Sequence, residues 1–139
     1  MLRVEDADIW YLACPYNHED LRVRIARYDN VTLATAKLAE RGVMCFSPIT
    51  HSHPLTQYAE LPRDWGFWFS FDQPIMRLCG KCIVLTLDGW DESVGVTDEI
   101  EWFEELSYPI KYINPVGDVM QFLRGPFELE DEPRETSNG

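Results

Sequence analysis

The chain has 139 residues, of which 45% are hydrophobic and 13% aromatic, and this is enough for one domain with one apolar core. Its net charge of -12 argues against binding to a nucleic-acid polymer, which is held largely through phosphate neutralisation, but allows a small nucleotide. No apolar stretch approaches the roughly 20 residues of a membrane helix, and residues 1–6 lack a signal-peptide pattern. We therefore expect a cytoplasmic protein that does not bind membranes.

The first half of the chain predicts two strands separated by a helix. Residues 9–13 are a short apolar run that stops at Pro15, which indicates a strand. Apolar residues then recur at helical spacing over residues 18–41, and a glycine follows as a stop signal. Residues 43–46 predict a second strand. Residues 49–62 contain turn formers and two histidines, and we expect a long loop there.

The second half continues the alternation. Asp64 is expected to cap a helix that ends near Cys79. The unbroken apolar run at residues 82–87 is typical of a parallel strand buried on both faces. The remaining expectations are a loop at 88–96, a helix at 97–106, a strand at 109–113 and a short helix at 118–123. This order predicts an α/β domain over residues 1–125, with a parallel sheet of four to five strands, and an acidic, flexible tail over residues 126–139.

The predicted topology limits where a ligand can bind. In open parallel sheets, ligands lie beyond the carboxyl ends of the strands, near the switch in strand order. The regions to search are therefore 14–18, 47–53 and 88–96. No G-x-G-x-x-G or Walker sequence follows any of the predicted strands, which disfavours a dinucleotide or ATP enzyme. We expect no cofactor.

Three carboxylates fall close to those regions. Asp88 ends the most apolar strand, Asp72 lies on the mostly apolar side of its predicted helix, and Glu99 lies near the start of the next helix. An acidic residue in a first helical turn has an ordinary structural role, since it interacts favourably with the helix dipole. Taken together at one edge of the sheet, the three residues indicate a carboxylate-based site.

Several motifs, taken in order, resemble the nucleoside 2-deoxyribosyltransferase superfamily. They are Tyr-Leu-Ala-Cys-Pro at 11–15, Asp72, Leu-Asp-Gly-Trp at 87–90 and Gly-Val-Thr-Asp-Glu-Ile at 95–100. The similarity covers about residues 9–113. The histidine-containing segment 47–54 and the tryptophans look closer still to an uncharacterised branch of small bacterial and phage proteins, a domain of unknown function. The resemblance implies a flavodoxin-like or Rossmann-like three-layer sandwich.

The resemblance also implies a retaining double displacement at a nucleoside. Glu99 would attack the anomeric carbon, Asp72 would protonate or orient the leaving base, and Tyr11 would hold Glu99 in place. Retaining carboxyl pairs lie about 5–5.5 Å apart, and Glu99 must be ionised while its partner carries a proton. Relatives form dimers or larger assemblies, so we expect a homo-oligomer, either a dimer or a tetramer.

Ser93 is a departure from the pattern of the transferases. These enzymes often carry an aspartate at this position, and it helps to hold the sugar. In nucleotide-hydrolysing relatives a nearby serine contacts a 5′-phosphate, which favours a nucleoside monophosphate as substrate. Backbone N–H groups at the start of the following helix could assist. The structural alternative is that Ser93 only caps the turn.

Other residues are candidates for ligand contact or have ordinary structural roles. The expected substrate-binding set is Cys14, Pro15, His51, His53, Asp88, Gly89, Trp90, Ser93 and Gly95. The two histidines form H-x-H without a recognisable third ligand, so we expect no metal. Trp65 and Trp68 are expected in the core, whereas Trp90 could pack there or stack on a base. The arginines at 22, 24 and 27 could approach a phosphate, although a solvated helix face is the default interpretation.

Three functional hypotheses remain at this point. The leading one is an N-glycosidase or deoxyribosyltransferase that acts on a nucleoside or nucleoside monophosphate. The second is a non-catalytic nucleotide-binding or sensor module of the same fold. The third is a structural component of an oligomer.

Overall fold

A computed structural model describes residues 8–135, which form a four-stranded parallel sheet between helices. The elements are β1 (Ile9–Ala13), α1 (Leu21–Glu40), β2 (Met44–Phe46), α2 (Pro48–Ser52), α3 (Trp65–Cys79), β3 (Cys82–Leu85), α4 (Val94–Glu105), β4 (Ile110–Ile113) and α5 (Val119–Arg124). The strand order is β2-β1-β3-β4, so the order reverses between β1 and β3. The predicted α/β class and parallel sheet are confirmed.

Alternation along the strands divides the core into two apolar layers. Leu12 of β1 and Ile83 of β3 contact the layer formed by α1 and α5. Tyr11 and Val84 point to the opposite face, where α3 and α4 supply the covering side chains. Successive residues of a strand face opposite sides of the sheet. Tyr11 therefore lies on the same side of the sheet as α3 and α4.

Short polar side chains fix the helix starts, and one of them corrects a predicted boundary. The Asp64 side chain accepts a hydrogen bond from the Phe67 N–H and caps α3, as predicted. Ser93 caps α4 through the Val96 N–H, so this helix begins at Val94, three residues earlier than the expected residue 97. The expected Ser93 cap is therefore present.

The segment predicted as a long loop contains two short helices. Ser47 caps α2 by accepting from the Thr50 N–H, and Pro48 occupies the first helical position, where its missing N–H costs nothing. A 3₁₀ helix, His53–Gln57, follows directly. The loop prediction was wrong because turn-forming residues also start helices.

The acidic segment after α5 contacts the domain over its described part. Phe127 is 4% exposed and packs in the core layer beneath α1 and α5. Glu130 pairs with Tyr112 of β4 through two backbone hydrogen bonds of 2.8 Å. Residues 136–139 of the predicted tail lie outside the described part of the chain. Between residues 8 and 135, no helix combines the length and the apolar character required to cross a bilayer.

Candidate active site

A cavity of about 650 Å³ lies at the carboxyl ends of β1, β2 and β3. Its walls include residues from each of the three predicted search regions, for example Cys14, Ile49 and Gly89. The volume is typical of a small-molecule site, since such pockets measure roughly 300–1,000 Å³. The cavity thus occupies the location where a parallel sheet of this topology binds ligands.

Tyr11, Asp72 and Glu99 come together at this cavity. The Tyr11 hydroxyl donates a hydrogen bond of 2.5 Å to Oε2 of Glu99. Asp72 and Glu99 both line the cavity, although they are only 6% and 4% exposed. The three side chains belong to β1, α3 and α4, and they meet because all three elements share one face of the sheet.

The position of Glu99 within α4 removes its ordinary structural role. Glu99 is the sixth residue of a helix that starts at Val94 and therefore lies in the second turn rather than the first. The favourable effect of a helix dipole on a carboxylate fades beyond the first turn. Burial of a carboxyl group is energetically costly. Because an interaction with the helix dipole does not offset this cost at Glu99, a functional role is the better explanation of its position.

Burial controls the protonation of all three groups. It raises the pKa of Asp72 to about 7, while the Tyr11 hydroxyl opposes the rise. It raises the pKa of Glu99 to about 8; the Tyr11 hydrogen bond lowers this value and the charge of Asp72 adds to it. Burial, together with the charges of Glu99 and Asp72, also raises the pKa of Tyr11, so its hydroxyl is protonated and acts as a donor.

The two carboxyl groups form one coupled, buried pair. Burial raises the pKa of both groups toward neutrality, and the charge of Asp72 adds to the rise at Glu99. Such a pair loses its protons in two steps that belong to the pair rather than to either residue. The singly protonated pair, with one carboxylate and one carboxyl group, is therefore accessible near neutral pH.

Four of the other candidate residues line the cavity, namely Cys14, Gly89, Ser93 and Gly95. Gly95 packs closely on Trp65: a Cβ there would lie 3.2 Å from Cε3 of Trp65, so a side chain at residue 95 would push the indole ring aside by a few tenths of an ångström. The Cys14 thiol is buried, and burial raises its pKa, so it is not a nucleophile at neutral pH.

The remaining five candidates lie away from the cavity wall. Pro15 is buried, and Trp90 packs in the core layer with Tyr11. His51 is exposed and stacks on Phe71, with ring centroids 5.5 Å apart. The Asp88 side chain is 98% exposed and pairs with Arg134 at 2.7 Å.

His53 contributes indirectly to the cavity. It is buried, its ring stacks on Tyr28, and its Nδ1 lies 2.6 Å from the hydroxyl of Tyr16, which does line the cavity. Burial lowers the pKa of His53, so the neutral ring is favoured. We interpret His53 as a support for the position of Tyr16.

Sequence reasoning placed two tryptophans elsewhere and treated the arginines of α1 as solvated by default. Trp65 and Trp68, expected in the core, line the cavity instead and offer aromatic surface to a ligand. Three arginines also line it: Arg24 and Arg27 of α1 and Arg63 of the segment before α3. The spacing of arginines on α1 was visible in the sequence, but nothing in the sequence indicated that Arg63 joins them.

The described residues contain no group of three or more His, Cys, Asp or Glu side chains arranged to hold a metal ion. His51 and His53 do not act together, because one is exposed and the other buried. The four cysteines are free thiols, and Cys82 is buried in the core. The side chains that line the cavity supply carboxyl, phenol, guanidinium, imidazole and hydroxyl groups.

The fold and the buried carboxyl pair define an α/β protein with a small-molecule cavity at its topological switch point. The sequence model of a family described as "Domain of unknown function (DUF1937)" matches residues 8–114, and the chain belongs to this family. The matched range includes all four strands and the three residues Tyr11, Asp72 and Glu99. Comparison with curated proteins found no relative of the chain.

Proposed function

We propose that this protein cleaves or transfers the N-glycosidic bond of a nucleoside or nucleoside monophosphate by a retaining mechanism. The observation that carries the proposal is the contact of Tyr11 with Glu99 beside Asp72 at the 650 Å³ cavity. Buried carboxyl groups with raised pKa values in a cleft are typical of catalytic sites. The sequence resemblance to nucleoside 2-deoxyribosyltransferases supports the same chemistry.

The reaction proceeds in two steps, formation and breakdown of a glycosyl-enzyme. In the first, a carboxylate oxygen of Glu99 bonds to the anomeric carbon as the bond from that carbon to the base nitrogen breaks, and Asp72 gives its proton to the base. In the second, water or another base attacks the anomeric carbon and returns a proton to Asp72, which frees Glu99. The Tyr11 hydroxyl orients Glu99 throughout. A carboxyl pair near neutral pKa suits both transfers.

Two features of the surroundings belong to the same proposal. Trp65 and Trp68 provide the aromatic surface on which a base would stack. A cytoplasmic location and assembly into a homo-oligomer are expected together with this activity, because nucleotides are intracellular metabolites and the related transferases form dimers or larger assemblies.

Chromatographic detection of free base tests the activity. We expect release or exchange of base from a panel of nucleosides and their 5′-monophosphates. Glu99→Gln should lower the rate at least about 10³-fold, and Asp72→Asn by roughly 10²–10⁴-fold. Glu101→Gln, an exposed position on the same helix, serves as the control and should leave the rate unchanged. Absence of hydrolysis and exchange in folded wild-type protein would overturn the proposal.

One observation favours a second function, a nucleotide-binding module without catalysis. Burial raises the pKa of Glu99 and so favours its protonated form, and a protonated carboxyl group donates hydrogen bonds but is not a nucleophile. This alternative predicts nucleotide binding with no release of base. It also predicts that Glu99→Gln, which keeps the donor capacity and the shape, binds nucleotide as tightly as the wild type.

A further inference from the structure

Three guanidinium groups gather on one wall of the cavity. Arg24 and Arg63 both donate to the backbone carbonyl of His18, the latter at 3.2 Å. Arg27 donates to the neighbouring carbonyl of Asn17 at 3.0 Å and to that of Asp88 at 3.1 Å. Groups that share one acceptor, or adjacent ones, are close in space, so three positive charges lie side by side.

These cations have no carboxylate partner among residues 8–135. None of the ion pairs in the described part of the chain involves them, although the protein has 24 acidic residues and only 12 lysines and arginines. By contrast, Arg22 on the same helix pairs with Asp20 at 2.9 Å. Glu60 and Glu92 line the same cavity and the charge of Asp88 acts on Arg27, but none of these carboxylates forms an ion pair with the three arginines. Cations that have no ion-pair partner among residues 8–135 of so acidic a protein indicate that the site meets an anion from outside.

The arginines also have donors to spare. Arg24 and Arg63 bond the backbone through Nη1 alone, which leaves Nε and Nη2 of each for another acceptor. Guanidinium forks match the oxygen atoms of a phosphate, and such charge-assisted bonds are about twice as strong as neutral ones. The free forks of Arg24 and Arg63 suit a phosphate monoester, which offers three terminal oxygens and close to two negative charges at neutral pH. Arg27, whose two Nη atoms already bond backbone carbonyls, adds a third positive charge.

The three arginines line the same cavity as Asp72 and Glu99, so one ligand that fills the cavity contacts both groups. We therefore propose that the protein acts on nucleoside 5′-monophosphates rather than nucleosides, and that Arg24, Arg27 and Arg63 bind the phosphate. The identity of the substrate rests on the proposed function, whereas the anion site rests on the arginines alone.

Calorimetric titration in a Glu99→Gln background tests the binding without turnover. The probes are the four 2′-deoxynucleoside 5′-monophosphates, the matching nucleosides and inorganic phosphate. We expect a monophosphate to bind about 100-fold more tightly than its nucleoside, from two or more charge-assisted bonds of the usual strength. Arg24→Ala and Arg63→Ala should each weaken monophosphate binding about tenfold or more and leave nucleoside binding unchanged.

Arg22→Ala is the matched control, because this arginine is exposed and paired outside the cavity. Arg63 is exposed as well, so its replacement tests the site even where Arg24→Ala fails to fold. Equal affinity for nucleoside and monophosphate would overturn the inference, as would equal effects of Arg22→Ala and Arg63→Ala. Inorganic phosphate that binds as tightly as every monophosphate would also overturn it, since the site would then hold free phosphate only.

The two proposals fail in different ways. If monophosphates bind through the arginines but wild-type protein releases no base, the glycosidic activity is wrong and the phosphate site stands. If base is released from nucleosides at least as fast as from monophosphates, the preference for monophosphates is wrong and the glycosidic activity stands.

Discussion

At the scale of single residues, the site depends on two carboxyl groups that the fold holds in an unfavourable environment. Glu99 and Asp72 are buried, and the pKa of each lies well above its value in an unfolded chain, near 4. The folded protein therefore binds protons more tightly than the unfolded protein does between about pH 4 and pH 8. By linkage, its free energy of unfolding falls as the pH rises through that range.

The first prediction follows from this fall in the free energy of unfolding with rising pH. Glu99→Gln mimics the protonated form of Glu99. The free energy of unfolding of this variant should therefore be close to that of the wild type at pH 4–5 and exceed it by roughly 2–4 kcal/mol at pH 8. In thermal melts this corresponds to a rise in Tm of roughly 5–10 °C at pH 8. Glu101→Gln is the control, because Glu101 is exposed. A constant difference between wild type and Glu99→Gln at all pH values would show that Glu99 is ionised when folded.

The second prediction concerns the pH dependence of activity. The reactive form of the pair holds one proton, and this form is most abundant between the pKa values of about 7 and 8. The profile of kcat/KM should be bell-shaped, with its maximum in that interval. Tyr11→Phe removes a donor to Glu99, raises the Glu99 pKa further and should lower kcat/KM about tenfold or more. A profile that is flat from pH 6 to pH 9 would contradict the assignment.

At the scale of secondary-structure elements, the loop after β3 and the helix α1 hold each other in place. Arg27 of α1 donates to the carbonyl of Asp88, directly before Gly89. Gly89 has a φ of +89°, and a Cβ there would lie 2.9 Å from Nη2 of Arg27. A side chain at residue 89 would therefore strain the backbone and displace a guanidinium group from the cavity wall.

The third prediction separates these two effects. Gly42 also has a positive φ, +81°, but a Cβ there meets nothing within 4 Å. Gly42→Ala and Gly89→Ala should each lower the free energy of unfolding by about 1–2 kcal/mol. Only Gly89→Ala should also weaken nucleotide binding, through the movement of Arg27. Unchanged nucleotide affinity in a folded Gly89→Ala variant would contradict a role for Arg27 in binding.

At the scale of the whole molecule, the acidic C-terminal segment is part of the domain. Phe127 is buried beneath α1, Glu130 pairs with β4, and Arg134 reaches Asp88. These contacts link the segment to both the core and the loop after β3. The domain boundary expected at residue 125 stays a prediction, although Phe127, which lies beyond it, packs in the core layer.

The fourth prediction tests that boundary. Phe127→Ala should lower the free energy of unfolding by about 3 kcal/mol, because it removes a large buried side chain. Truncation after Gly125 should lower the free energy of unfolding at least as much, as measured by thermal or chemical denaturation. Equal stability of the chain ending at 125 and the full chain would show that the contacts of the segment contribute nothing.

The sequence predicted the central strands of the core, but it did not predict the start of α4 or the position of Arg63 at the cavity. The apolar runs of β1 and β3 form central strands, because a short strand buried on both faces needs apolar residues at nearly every position. The start of α4 was misjudged because Val94, Gly95 and Val96 are weak helix formers, and the Ser93 cap overrides them. The contact of Arg63 with the carbonyl of His18 depends on tertiary packing, which no local sequence pattern predicts.

The most direct test of the central claim is a covalent mark on Glu99. A 2-fluoro-arabinosyl nucleoside 5′-monophosphate forms the glycosyl-enzyme but loses the sugar slowly, because fluorine disfavours positive charge at the anomeric carbon. Peptide mass spectrometry should find the sugar phosphate on Glu99, with one equivalent of base released, and no label on the Glu99→Gln variant. Release of base with no adduct, or an adduct on another residue, would contradict the account.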